Sequence, residues 1–131
     1  IPKNEFKKFC TYDGMGFQLL QQTGIKVGIL TSEDRQLNRR RAKKLSLDFD
    51  FHGAKNKLQI VQDLCKKEQI SLDEVAYIGD DLNCFELLSN VGIAICPNNA
   101  ICKIKAIPNI IQLNKNGGDG AVREFVDQIL G

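Results

Sequence analysis

Apolar residues fall in short runs with charged stretches between them. Ile25–Leu30 (I-K-V-G-I-L), Val75–Ile78 (V-A-Y-I) and Ile93–Cys96 (I-A-I-C) are brief, aliphatic and bounded by polar residues or glycine. That pattern predicts buried strands. Phe49–Phe51 and Ile110–Leu113 are predicted as shorter strands. Apolar positions three or four apart predict helices over Gly14–Gln22, Glu33–Ser46, Lys57–Glu68, Asn83–Ser89, Asn99–Ala106 and Ala121–Leu130. Ser71–Glu74 has capping-box spacing, with room only for a brief turn before Val75. Strands alternating with helices imply an α/β fold with a mostly parallel sheet covered on both faces. Ligands of such sheets gather at the carboxyl ends of the strands.

The length of 131 residues suits one domain, residues 1–131, and 43% hydrophobic residues suffice for a core. A formal charge of +2 gives no electrostatic argument for nucleic acid as a partner. No apolar run approaches the roughly 20 residues of a membrane span, and no signal peptide is visible. Of the five cysteines none forms a C-x-x-C pair, and His52 is the only histidine. Reduced thiols in a cytoplasmic protein are expected, without a zinc site.

Three strand ends carry chemistry. Thr31-Ser32-Glu33 follows the first strand, His52-Gly53-Ala54-Lys55-Asn56-Lys57 the second, and Gly79-Asp80-Asp81 the third. Taken singly, each has an ordinary reading: a threonine caps a helix, a lysine is solvated, paired aspartates make a turn. Together they place a hydroxyl, an ammonium and two carboxylates on one rim. A phosphoryl site needs that set, with a carboxylate for Mg²⁺ and a fixed cation. Mg²⁺ at Asp80 and Lys57 near Asp81 would let both neighbouring carboxylates remain ionised.

The order T-S-E, G-x-K-x-K-L, V-A-Y-I-G-D-D-L-N, G-G-D-G-A-V-R-E-F resembles the haloacid dehalogenase superfamily from about Phe6 onward. More narrowly it resembles the capless branch of 3-deoxy-D-manno-octulosonate 8-phosphate and nonulosonate (sialic-acid-type) 9-phosphate phosphatases. The resemblance implies a Rossmann-like three-layer core and an Mg²⁺-dependent phosphatase of a phosphorylated 2-keto-3-deoxy sugar acid. Thr31 would bind phosphate, Lys57 would neutralise it, Asp80 would hold Mg²⁺, and Asp81 would position Lys57 or metal-bound water. Gly117, Gly118 and Gly120 match a loop that approaches a ligand or a neighbouring subunit closely. Arg123 would meet substrate or buttress an interface.

Two positions depart from the branch. Cys84 stands where the G-D-D motif commonly ends in Asp, which removes a carboxylate from around the metal. The superfamily's D-x-D nucleophile strand is also missing: Thr11-Tyr12-Asp13-Gly14 has threonine at the nucleophile's place. Glu5–Phe9 looks like the end of the hairpin that follows that strand. Without it the sheet would fall into two groups lacking a common neighbour. The chain begins Ile1-Pro2, and the nucleophile strand is expected upstream, in a longer or a cleaved protein.

Helix 33–46 bears on the substrate. Leu37, Ala42 and Leu45 define its inward arc, with Arg41 inside the arc and Lys44 at its border. Both would reach a substrate carboxylate, in their own or a neighbouring subunit's site, or pair internally. Glu33 in T-S-E, with R-R-R-A-x-K-L after it, resembles the nonulosonate 9-phosphate type and would accept hydrogen bonds from the sugar, beside Ser32; a helix cap is the plain alternative. A homotetramer is implied, with Pro2–Phe9 and the last helix as contact elements. The alternative function is a non-catalytic assembly domain of the kind fused to CMP-sialic acid synthetases.

Overall fold

Aliphatic side chains fill the inner strands G-I-L, A-Y-I and I-A-I-C. The computed structural model describes residues 2–4, 21–22, 24–30, 36, 48–116 and 121–130. Six strands form one sheet: β1 (Pro2–Asn4), β2 (Gly28–Leu30), β3 (Phe49–Phe51), β4 (Ala76–Ile78), β5 (Ile93–Cys96) and β6 (Ile111–Gln112). Their order is β3-β2-β1-β4-β5-β6, and every pairing is parallel. The chain steps outward from β1 to β3, returns across the sheet, and steps outward again from β4 to β6. This is the doubly wound order, with its reversal between β1 and β4.

Burial follows position in the sheet. β2 and β4 are buried at every residue, as expected of strands covered on both faces. The edge strand β3 alternates, with Phe49 and Phe51 half-buried and Asp50 exposed. At the other edge, β6 is exposed at both residues. The register aligns Ile78, Asn4, Ile29 and Asp50 in one row across four strands. Because all strands run the same way, β2, β3 and β4 end, at Leu30, Phe51 and Ile78, on one rim.

Four helices are described: α1 (Lys57–Glu68), α2 (Phe85–Leu88), α3 (Cys102–Lys105) and α4 (Ala121–Leu130). In α1 the buried positions are Lys57, Val61, Leu64 and Cys65, a single stripe at helical spacing. The helix ends at Gln69, which is left-handed with φ 59°, and Ile70 N–H donates to Cys65 O. A 3₁₀ turn, Leu72–Glu74, leads into β4, and Glu74 Oε1 accepts from Ser71 N at 3.3 Å. The core joins Leu30, Val61, Cys65, Val75, Tyr77, Leu87, Leu88 and Ile104.

The Pro2–Asn4 part of the hairpin expected over Pro2–Phe9 is corrected by the structure, while Glu5–Phe9 lies outside the described residues. Pro2–Asn4 is a central parallel strand between β2 and β4. The common neighbour that the two strand groups require is therefore present. Sheet pairing uses backbone groups, which any extended segment supplies, and proline is tolerated at a strand's first residue. Residues 5–20 lie outside the described residues, as do most of the segment 33–46 that was expected to be helical and the glycine-rich segment 117–120.

Candidate active site

The first turn of α1 carries the decisive side chain. Lys57 opens the helix and is only 3% exposed, the one fully buried charged residue among the described residues. The expected solvated alternative does not hold for it. A cation at a helix N-terminus opposes the helix dipole, a cost of up to about 1 kcal/mol. Burying an ion costs several kcal/mol more unless anions or dipoles receive it. Departures of this kind concentrate at functional or strained sites.

Lys57 points to the loop that leaves β4. Its Nζ lies 3.7 Å from Cys84 Sγ. Cys84 ends a 3₁₀ turn, Leu82–Cys84, and packs back onto the start of the same loop. A Cβ at Gly79 would stand 2.7 Å from Cys84 Cβ and 2.9 Å from its sulfur, so only glycine fits there. Gly79 N–H donates to Ile95 O at 3.0 Å, which fixes the loop's origin on β5. Asp80 O accepts from Ile101 N at 3.3 Å, tying the loop to the start of α3.

The two carboxylates are half-buried at the rim where the strand order reverses. Asp81 Oδ1 caps the 3₁₀ turn, accepting from Leu82 N at 2.7 Å. The cap reading thus applies to one oxygen of Asp81. Asp80, directly after Gly79, is half-buried at the same rim. Among the described residues no three or more His, Cys, Asp or Glu gather. One carboxylate with an adjacent second, partly open to water, fits Mg²⁺, which retains waters and needs few protein ligands.

The remaining candidates divide in two. Arg123 is half-buried in α4, and its Nε donates to Asp127 Oδ1 at 3.0 Å. Thr31, Ser32, Glu33, Arg41 and Lys44 lie outside the described residues. Sequence reasoning passed over three residues. Tyr77 is wholly buried in β4 and its hydroxyl lies 3.5 Å from Cys84 Sγ. The ring of His52 is buried against Asp50 just after β3. Glu124 accepts from Asn114 N and Lys115 N at 2.9–3.0 Å, holding the turn ahead of the glycine-rich loop. A carboxylate four residues after G-G-D-G was the available signal for Glu124; Tyr77 looked like any strand aromatic.

Residues 30–125 match the model of the haloacid dehalogenase-like hydrolase family. The chain belongs to that family. It is similar to 3-deoxy-D-manno-octulosonate 8-phosphate phosphatase of Haemophilus influenzae, 32% identical over 125 residues, covering 95% of this chain and 68% of the relative. The enzyme of the same name from Escherichia coli K12 is 33% identical over 127 residues, covering 96% of this chain and 66% of the relative. This haloacid dehalogenase-like chain thus spans about two thirds of these relatives' length. Among solved structures, the phosphatase of that name from Moraxella catarrhalis, in complex with magnesium, phosphate and KDO, superposes with a TM-score of 0.92 at 31% identity. That match covers 98% of this chain and 84% of the other. A cobalt-bound form from H. influenzae gives 0.91 at 26% identity, covering 98% and 85%. The doubly wound, parallel architecture is shared with these phosphatases.

Proposed function

We propose that this chain is the larger part of an Mg²⁺-dependent phosphatase that hydrolyses a phosphorylated 2-keto-3-deoxy sugar acid. The carrying observation is the buried Lys57 ammonium, set against the Gly79–Cys84 loop at the rim where the strand order reverses. Phosphoryl transfer depends mainly on positioning and on stabilising negative charge, and a desolvated cation supplies both.

Each residue has a role in this reading. Lys57 neutralises the phosphoryl oxygens, and the Thr31 hydroxyl donates to one of them. Asp80, with Asp81 beside it, would hold Mg²⁺, whose charge assists the same oxygens. Ser32, Glu33, Arg41, Lys44 and Arg123 serve the sugar acid. The nucleophilic aspartate comes from a D-x-D strand outside this sequence. That strand would take the central place now held by Pro2–Asn4, which offers no carboxylate. A homotetramer would cover the exposed Leu82 and Ile101, which flank the loop at 53% and 41% exposure. Among the described residues no helix is long and apolar enough to cross a membrane.

Two substrates compete. Glu33 favours a nonulosonate 9-phosphate, whereas the named relatives support the octulosonate 8-phosphate. The test is phosphate release by the full-length polypeptide from both, with and without Mg²⁺. Faster turnover of the octulosonate ester would overturn the Glu33 reading. No release from any sugar acid phosphate would leave the assembly domain, which the Asp-to-Cys departure at position 84 favours. Asp80→Asn is expected to cut Mg²⁺-dependent release by roughly a thousandfold while leaving the thermal midpoint within a few degrees, measured by phosphate assay and melting.

A further inference from the structure

The connection His52–Asn56 runs from the edge strand β3 to Lys57, the first residue of α1. Locally, the start of α1 is weakly specified. Its N-cap Asn56 makes no side-chain cap bond, no acidic residue lies in the first turn, and Lys57 opposes the dipole. Among the described residues, Gly53, Ala54 and Lys55 make no backbone hydrogen bond to another segment. Side-chain burial is what ties the connection down. Ala54 is buried and belongs to the core. The side chain of His52 is 2% exposed, and Gly53, left-handed at φ 68°, turns the chain directly after it. The imidazole is buried at a cost to stability: Nε2 faces Asp50 Oδ1 without hydrogen-bond alignment, and Nδ1 has no hydrogen-bond partner.

We infer that His52 is a positioning residue: its buried ring anchors the connection, and so sets where α1 begins and where the Lys57 ammonium stands. This rests on the proposed role of Lys57. A helix without local start signals takes its beginning from the tertiary packing around it. A displacement of about 1 Å at a reacting centre can cost a hundredfold in rate, even when the change that causes it lies elsewhere. The bulk of the ring carries this role and its nitrogens do not, since neither makes a hydrogen bond. An apolar side chain of similar size would therefore hold the connection as well, and at less cost to stability.

The experiment uses the full-length protein with His52→Ala, His52→Val, His52→Leu and His52→Phe. Val126→Ala, which empties a buried place in α4, is the control for lost packing. At a temperature where each variant is folded, His52→Ala should lower kcat about tenfold with KM within twofold. His52→Leu or His52→Phe, which keep the bulk, should restore most of it. His52→Val should fall between, and carries the test if the alanine variant does not fold. Val126→Ala should lose stability and keep its kcat within twofold. Ile60 N donates to Asn56 O at 3.1 Å, the first bond of α1, so its amide should exchange several-fold faster in His52→Ala and not in Val126→Ala. A kcat for His52→Ala within twofold of the unsubstituted protein would overturn the inference, as would leucine and phenylalanine variants both as impaired as the alanine one. If the unsubstituted protein released no phosphate at all, the proposed function would fall. The exchange of the Ile60 amide would then decide the anchor alone, and an unchanged rate in His52→Ala would refute it.

Discussion

Lys57 breaks the ordinary rules for a lysine, and the break is measurable. Its ammonium sits at the wrong end of a helix dipole and almost out of water. Removing one member of a buried charged contact leaves its partners uncompensated, so some stability should go with it. Lys57→Met should lower phosphate release by roughly a thousandfold or more, well beyond what its change in melting temperature explains. An activity loss no larger than the loss of folded protein would mean that the lysine is structural. Gly79 makes the complementary case. An added methyl would meet Cys84 Cβ at 2.7 Å, so Gly79→Ala should cost about 1–3 kcal/mol in chemical denaturation. Its activity should fall further than that loss of stability explains, because the Asp80–Asp81 loop shifts with it.

Among the elements, those with a strong local signal were legible. Helix Lys57–Glu68, the strands Phe49–Phe51 and Ile93–Cys96, and helix Ala121–Leu130 occur where periodicity placed them. The predicted strand Ile25–Leu30 contracts to Gly28–Leu30, and Asn99–Ala106 to Cys102–Lys105, because partners and not propensity decide where ladders and turns end. Pro2–Asn4 was not legible as a strand, since nothing in P-K-N suggests one; its place is dictated by the unpaired edges of β2 and β4. The convergence of Lys57 with the Gly79–Cys84 loop was readable from strand order, whereas the thiol between them was not, because cysteine looks like any small core residue. Glu124 also acts at this scale. Glu124→Ala removes the acceptor of two backbone amides, and should cost about 1–2 kcal/mol and speed hydrogen exchange at Asn114 and Lys115.

At the scale of the whole molecule the cysteines separate by burial. Cys65, Cys84 and Cys96 are buried and Cys102 is exposed. Burial pushes the Cys96 thiol up from its ordinary range, against a smaller lowering by Lys105, so its reactive thiolate is scarce at neutral pH. Of these four, Cys102 should be alkylated first in the native protein, with the others following only at the rate of unfolding; mass spectrometry of timed iodoacetamide reactions checks this. The sheet itself has a simpler logic. Among the described residues β2 and β3 build one wing and β4, β5 and β6 the other, and β1 is the strand that pairs with both. Continuity through the centre of the sheet thus hangs on main-chain groups, at a place where the residues P-K-N carry no strand signal of their own.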